Sequence, residues 1–513
     1  MGEKLFRSTA IVSMMTFLSR ILGLVRDIVI ARYFAAGLAA DVFFVAFKIP
    51  NFLRRLFAEG AFSQAFIPVL AEYRQKGDRD LKELIAKTSG TLAGILFVIT
   101  AIGVIAAPVL VMLFAPGFIN NEEKISLAGE LLMITFPYLF FISLTALAGS
   151  ILNSFGKFAV PAFTPVFLNL SLIGCAIWLS PQLEEPVKAL AWGVFLGGVV
   201  QLVFQIPFLL NIKQLPKPSW GWKNSGVQKI LKLMIPAMFG VSVSQINLLL
   251  DTLLASFLVT GSISWLYYSD RLVEFPLGIV GIALATVILP SLSKKHATAS
   301  KAEFSHTIDW ALRWVFIIGT PAAIGLIWLA EPLLLTLFQY GEFSPEDAHK
   351  ASLSLMAYGL GLLPFIFIKV LAPGYFARQD TKTPVKIGII AMVTNMVLNI
   401  ILMLQLAHVG LALATSLSAA LNAALLYAGL RKLGVYQPDK GWGSFIAKLV
   451  LANASLLLLL FFLAPDTPSW VAWDVWLRIT NLFALIVAAV VIYFSTLAFV
   501  GIKLKNLLKI KTE

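Results

Sequence analysis

The sequence predicts an all-α polytopic membrane protein of about fourteen transmembrane helices. Three observations carry this reading. The 513 residues are 59% hydrophobic and only 13% charged, with a mean hydropathy of +0.87. Apolar runs long enough to cross a hydrocarbon core of roughly 30 Å recur from end to end, each needing about 20 residues as a helix. Lysines and arginines gather in alternate connecting loops. That is a topology signal rather than a nucleic-acid surface, even at a net charge of +13. No nucleic-acid partner is expected, and no soluble domain is visible.

Taken in order, the apolar runs cover residues 9–34, 39–72, 86–114, 126–152, 161–180, 187–210, 226–257, 263–292, 304–338, 348–372, 385–405, 409–431, 444–464 and 473–500. Several exceed what a bilayer needs, which implies tilt or extension beyond the membrane. One side collects Lys4 and Arg7, then Arg74, Lys76, Arg79 and Lys82, then Lys157, then Lys213, Lys217 and Lys223, then Lys294, Lys295 and Lys301. It continues with Arg378 and Lys382, then Arg431, Lys432 and Lys440, and ends with Lys503, Lys505, Lys509 and Lys511. The other side offers little beyond Lys124, Lys188 and Lys350. The positive-inside rule therefore places both termini in the cytoplasm. Arg20, Arg26, Asp27 and Arg32 interrupt the first run, so it reads as a retained span and not a cleaved leader. Trp470, Trp473 and Trp476 read as an interfacial aromatic belt at the outer end of the last run.

The spans fall into an N-terminal lobe at 1–210, a C-terminal lobe at 226–432 and a helix pair at 444–513. Laid over one another, the two lobes align Asp27, Ala31 and Gly37 with Asp251, Ala255 and Gly261 at a constant offset. Phe66, Ile67 and Pro68 then meet Ile288, Leu289 and Pro290 after a small indel, and Leu147 and Ala148 meet Leu371 and Ala372. Each lobe holds six spans starting from the same side, which makes the lobes parallel repeats about an axis normal to the membrane. The last pair stands outside the repeat.

Charge inside the first two spans points to function. Arg20, Arg26, Asp27, Arg32, Asp41, Lys48, Arg54, Arg55 and Glu59 all lie within an apolar frame. An arginine at bilayer mid-depth costs about 2.5–3.5 kcal/mol on insertion scales, so these groups should face protein or a wet cavity. Arg20 and Asp27 share one helical face, while Asp41, Lys48, Arg55 and Glu59 form a stripe along the next helix. Arg26 and Arg54 each sit one position before a stripe member and widen the stripes into a basic wall. Pro50 breaks the second helix midway. The plainer alternative is a set of internal salt bridges joining two helices. In the second lobe, Asp270, Arg271 and Glu274 occupy the run 267–276, and Arg271 is expected to face the first lobe across a central cavity. The alternative there is an intrahelical pair of Arg271 with Glu274.

Guanidinium forks bind phosphate bidentately and keep their charge when desolvated, so converging arginines suit a multivalent anion. The accompanying acids suit a large polar head, and the cargo reads as amphiphilic. Asp251, Asn395, Asn399 and Thr415 together could offer oxygen ligands to a sodium ion, with helix-to-helix hydrogen bonding as the other role for the amides. The histidines His296, His306, His349 and His408 are scattered, and the one cysteine, Cys175, lies in an apolar span. No phosphate-binding loop, zinc-protease motif or nucleophile elbow occurs. No organic cofactor is expected. Energy for uphill movement would come from a coupling cation or from the membrane potential, worth about 2.3 kcal/mol per charge per 100 mV.

The runs 19–23, 25–27, 41–55 and 58–62, together with 267–276 and 371–384, closely resemble the MurJ (MviN) lipid II flippases of bacteria, and the resemblance covers essentially the whole chain. It implies the multidrug/oligosaccharidyl-lipid/polysaccharide exporter fold, two six-helix lobes forming a V around a cationic cavity. It implies movement of the lipid-linked peptidoglycan precursor between leaflets of the bacterial cytoplasmic membrane by alternating access, without enzymatic chemistry. On matching positions, Arg20, Arg26, Arg54 and Arg271 correspond to the family's cavity arginines, and Asp41 and Glu59 to its acids. Arg26, Arg54 and Arg271 would clamp the pyrophosphate, and the last two spans would form a groove for the undecaprenyl tail. Lipid II, membrane lipids and cell-wall synthases are the implied partners, and a monomer is expected to suffice. The alternatives are an exporter of another polyprenyl-linked saccharide, or a membrane enzyme acting on a polyprenyl pyrophosphate. An enzyme would need a longer outer loop than any here.

Overall fold

The structure is a computed structural model that describes residues 2–56, 62–281, 288, 291–293 and 300–502. Glu59, Leu289, Pro290, Lys294, Lys295, His296, Lys503, Lys505, Lys509 and Lys511 lie outside the described residues. The chain divides into two compact units, Met1–Ser264 and Trp265–Glu513.

The first unit is built from α1 (Gly2–Phe34), α2 (Leu38–Arg54), α3 (Ser63–Lys76), α4 (Asp78–Ile105), α5 (Ala107–Phe114), α6 (Glu122–Thr135) and α7 (Tyr138–Ser154). It continues with α8 (Ala159–Phe163), α9 (Pro165–Gly174), α10 (Lys188–Asn211) and α11 (Ser225–Ala255). Proline accounts for the breaks. Pro108 opens α5 where the expected third span parts at Ala106, and Pro137 separates α6 from α7 inside the expected fourth. In each case the missing N–H and the ring's clash with the preceding turn stop one helix and start another. Phe66, Leu70, Leu84, Ile151 and Leu152 are fully buried where α3, α4 and α7 meet.

From Ser262 the chain runs through α12 (Ser262–Pro276), α13 (Lys301–Trp328), α14 (Ala330–Phe338), α15 (Pro345–Phe376), α16 (Lys382–Lys432), α17 (Trp442–Leu463), α18 (Thr467–Ala472) and α19 (Val475–Phe499). The α16 helix is two arms. Ala407, at φ 49° and ψ −129°, breaks it between the expected spans 385–405 and 409–431. Among the described residues, nine helices are long and apolar enough to cross a membrane. The α1 helix covers the expected first span and α2, of 17 residues, the first part of the expected 39–72, both with charges in their apolar frame.

Gly37 is the N-cap of α2 and Gly261 immediately precedes α12, while Asp27 and Asp251 lie in the preceding helices α1 and α11.

The expected aromatic belt at the C-terminal helices is corrected. Trp470 is fully buried, donates from Nε1 to the Pro465 carbonyl at 3.2 Å and packs edge-on against Trp473; of the three tryptophans Trp476 is the exposed one. Arg478, in the first turn of α19, is buried. Its Nη1 donates to the Leu335 carbonyl at 3.1 Å and its Nη2 to the Val471 carbonyl at 2.9 Å. Both carbonyls belong to the last turns of short helices, α14 and α18, where no intrahelical donor remains and the helix dipole is negative.

Asp309 of α13 is the polar hub of the second unit. Its buried carboxylate accepts from Arg313 Nε at 2.7 Å, Tyr436 Oη at 2.8 Å, Trp442 Nε1 at 2.7 Å and the Asp439 N–H at 3.2 Å. The Arg313 guanidinium lies over the rings of Trp442 and Phe445. Burial and the adjacent carboxylate hold the Tyr436 phenol above its usual range, so it stays a donor. These bonds seat the 433–441 loop and the start of α17 on α13. Asp309→Ala strands four donors, and removing one partner of a buried ion pair costs about 3–5 kcal/mol. The variant should unfold at a lower temperature in detergent and become protease-sensitive at 433–441; unchanged cleavage there would remove Asp309 from this role.

Candidate functional site

Arg26 and Asp27 are adjacent in α1 and both buried, at 7% and 1% exposure. Arg26 donates to Asp27 Oδ1 from Nε at 2.9 Å and from Nη2 at 2.7 Å, and from Nη1 to Asn169 Oδ1 at 3.0 Å. Asn169, on α9, returns its own Nδ2 proton to the Ser19 carbonyl at 3.1 Å. Ser19, Gly23 and Arg26 lie at i, i+4 and i+7 on one stripe of α1, and Asn169 lies along it. All three guanidinium nitrogens are thus engaged. Sequence reasoning missed Asn169. The available signal was an amide in the apolar run 161–180, where it is the sole Asn or Gln.

The charges of α2 separate into two groups. Asp41, in its first turn, is 2% exposed. Its carboxylate accepts from the Gly261 N–H at 2.6 Å, the Ser264 N–H at 2.9 Å and the Ser264 hydroxyl at 2.6 Å. It therefore caps the N-terminus of α12, where unpaired N–H groups and the positive end of the dipole favour an anion. Gly261 presents its N–H from a backbone at φ 98°, a region that favours glycine. Toward the other end of α2, Lys48, Arg54 and Arg55 are half-buried. Arg54 Nε donates to Asn51 Oδ1 at 2.8 Å, just past Pro50. The buried Tyr138 hydroxyl lies within electrostatic reach of both Arg54 and Arg26. Arg20 stands exposed on α1.

In the second unit, Arg271 Nη1 donates to Glu274 Oε2 at 2.9 Å and Nη2 to the Tyr267 hydroxyl at 3.2 Å, with the guanidinium 4.9 Å from the Tyr267 ring centre. Tyr267, Arg271 and Glu274 form one stripe of α12. Its other face is anchored by Tyr268, fully buried against Phe338 and Phe343, and by Ser269, whose hydroxyl reaches the Ala351 carbonyl at 2.6 Å.

Asn399 Nδ2 donates to Asn395 Oδ1 at 2.9 Å, Asn395 Nδ2 to Thr415 Oγ1 at 3.4 Å, and the Thr415 hydroxyl to the Leu411 carbonyl at 3.0 Å. The Asn395–Thr415 bond joins the two arms of α16, which is the helix-to-helix role the amides could alternatively play. Asp251 lies in α11 of the first unit. Among the described residues no group of three His, Cys, Asp or Glu side chains is placed to hold a metal ion.

Residues 30–481 match the family described as lipid II flippase MurJ. The chain belongs to this family. A probable lipid II flippase MurJ of Vibrio cholerae is 55% identical across 100% of this chain and 99% of its own length. The Burkholderia cenocepacia lipid II flippase MurJ is 42% identical across 97% and 98%. A solved lipid II flippase MurJ in an inward closed conformation superposes at a TM-score of 0.81, with 28% identity over 97% of this chain and 99% of that one. An inward-facing multidrug resistance MATE family transporter of the MOP superfamily gives 0.67 at 15% identity over 83% and 98%, a likeness of fold alone. The all-α polytopic fold expected from sequence is therefore that of the MurJ family, and membership makes this a multi-pass protein of the inner membrane.

Replacing Asp41 by Ala leaves two buried N–H groups and a hydroxyl unmet, at about 1–3 kcal/mol each. Amides 261–264 should then exchange hydrogen faster and the melting temperature should fall, with Asp41→Asn intermediate. Unchanged exchange would show that the cap contributes nothing.

Proposed function

We propose that this flippase carries lipid II by alternating access and that Arg26, Arg54 and Arg271 take the pyrophosphate, with Arg20, Lys48 and Arg55 adding positive potential. The carrying observation is the state of Arg26. A buried guanidinium bound to one carboxylate and one neutral amide is charge-compensated but exchangeable. A phosphate oxygen adds a full negative charge and bidentate geometry that an amide oxygen cannot offer a guanidinium. A diphosphate oxygen should therefore displace Asn169 and leave Asp27 in place. Asp27 keeps Arg26 stable when no substrate is bound, and Glu274 does the same for Arg271. Breaking the buried Arg26–Asp27 pair without replacement would cost about 3–5 kcal/mol, whereas the more exposed Arg271–Glu274 pair is worth far less. The saccharide and peptide of the headgroup would meet the acids and amides, and the undecaprenyl chain would stay in the bilayer beside α17 and α19.

In this reading the termini are cytoplasmic, the chain performs no bond chemistry, a monomer suffices and cell-wall synthases are candidate partners. Resetting would draw on the membrane potential or a coupling cation. No step is assigned to a cation site.

In cells depleted of their own flippase, Arg26→Ala, Arg54→Ala and Arg271→Ala at normal expression should each fail to support growth, and Arg26→Lys should be poorly tolerated for want of a bidentate fork. Asn169→Ala should sustain growth while losing about 2–4 kcal/mol of stability, the worth of one neutral hydrogen bond and one to a charged group. Rescue by all three alanine variants, with leaflet accessibility of the lipid precursor unchanged, would remove the clamp.

A further inference from the structure

The linker between α10 and α11, residues 212–224, is pressed onto α4. The Ser219 N–H donates to the Ala86 carbonyl at 3.0 Å, the Gly221 N–H to the Thr91 hydroxyl at 2.9 Å, and Lys87 Nζ to the Trp220 carbonyl at 3.4 Å. Missing side chains make the fit possible. A Cβ on Gly90 would fall 2.3 Å from the Ser219 backbone, and one on Gly94 would fall 2.7 Å from the Trp220 ring. The linker thereby lays Trp220 along α4 and stacks it nearly parallel to Trp222, with ring centres 6.4 Å apart and planes 13° apart. Both indoles remain exposed, at 60% and 48%. Lys87, Trp220, Gly221, Trp222, Lys223 and Asn224 line a cavity of about 440 Å³.

The place of this cavity along α4 fixes its surroundings. Lys87 is the last charged residue before an uncharged stretch, 88–105, so it marks where the helix leaves water. Gly94, under Trp220, is seven residues further on, or about 10 Å along the axis. The cavity therefore straddles the membrane–water boundary, its lysines on the wet side and an indole reaching toward the acyl region. The linker 212–224 carries Lys213, Lys217 and Lys223 and no acid, and no acid lines the cavity. Indoles prefer this depth, and lysine stems run along apolar surface to put the ammonium among headgroups.

We infer that this cavity is a binding site for an anionic phospholipid of the surrounding bilayer, its headgroup phosphate held by Lys87 and Lys223 and its glycerol and upper acyl chain lying on Trp220 and Trp222. The site shares no residue with the proposed clamp, and the inference stands whether or not Arg26, Arg54 and Arg271 take pyrophosphate. Basic interfacial pockets recognise lipid phosphate this way, each lysine contributing independently to retention. The site would fix the α10–α11 linker to the membrane surface while α4 and α11 change inclination.

Native mass spectrometry of the full chain in detergent, titrated with phosphatidylglycerol or phosphatidylcholine, tests the site without recourse to transport. The parent should retain phosphatidylglycerol in preference to phosphatidylcholine. Lys87→Gln with Lys223→Gln should weaken that retention roughly thirtyfold, the loss expected for two interfacial lysines. Trp222→Ala, at an exposed position, should weaken retention of both lipids with the melting temperature unchanged. Millimolar inorganic phosphate should not displace the lipid, since it lacks the chains that the indoles hold; displacement would overturn the assignment to a bilayer lipid. Equal retention of the two lipids, or retention unaffected by loss of both lysines, overturns the site itself.

Discussion

A charge placed inside a bilayer protein must be answered by another group, and the architecture here follows from how each charge is answered. Arg26 is met by Asp27 and an amide, Asp309 by an arginine and three further donors, Asp41 by the open end of a helix, and Arg478 by carbonyls at the ends of two others. An isolated arginine costs a few kcal/mol on insertion scales, so none of these partnerships is optional. They differ in what they permit. A carboxylate capping a helix has nothing to exchange with, whereas an arginine shared between an acid and a neutral amide can trade the weaker partner for an incoming anion.

Helix placement was largely legible in the sequence because the bilayer imposes one requirement, a run of about 20 apolar residues, on every span. The division of α16 near residue 407 and the breaks at Pro108 and Pro137 follow from that requirement and from proline geometry. The pairing of Arg271 with Glu274 was also readable, since helical spacing puts them on one stripe. What could not be read were partners distant in the chain. Nothing in the period of α2 announces that Asp41 is matched to amides at 261 and 264, and nothing near Arg26 points to Asn169. Trp470 looked like a membrane-belt residue because composition reports the type of a side chain and not the side of the helix it occupies.

Gly37 and Gly261 each stand at the head of a helix, yet their backbones differ: Gly37 is extended at φ −115° and Gly261 is left-handed at φ 98°. Four places after Gly37 is Asp41, an acceptor for the amides of 261 and 264, and four places after Gly261 is Trp265, which donates from Nε1 to Asp347 at 2.9 Å.

The partners of Arg478 have a consequence of a different kind. Backbone carbonyls have no proton to gain and no side chain to mutate, so the contact that seats the final helix cannot be switched by acidity, by salt at the membrane surface or by substitution of either acceptor. The final helix, α19, is thus held to α14 and α18 by a joint in which the arginine is the one participating side chain.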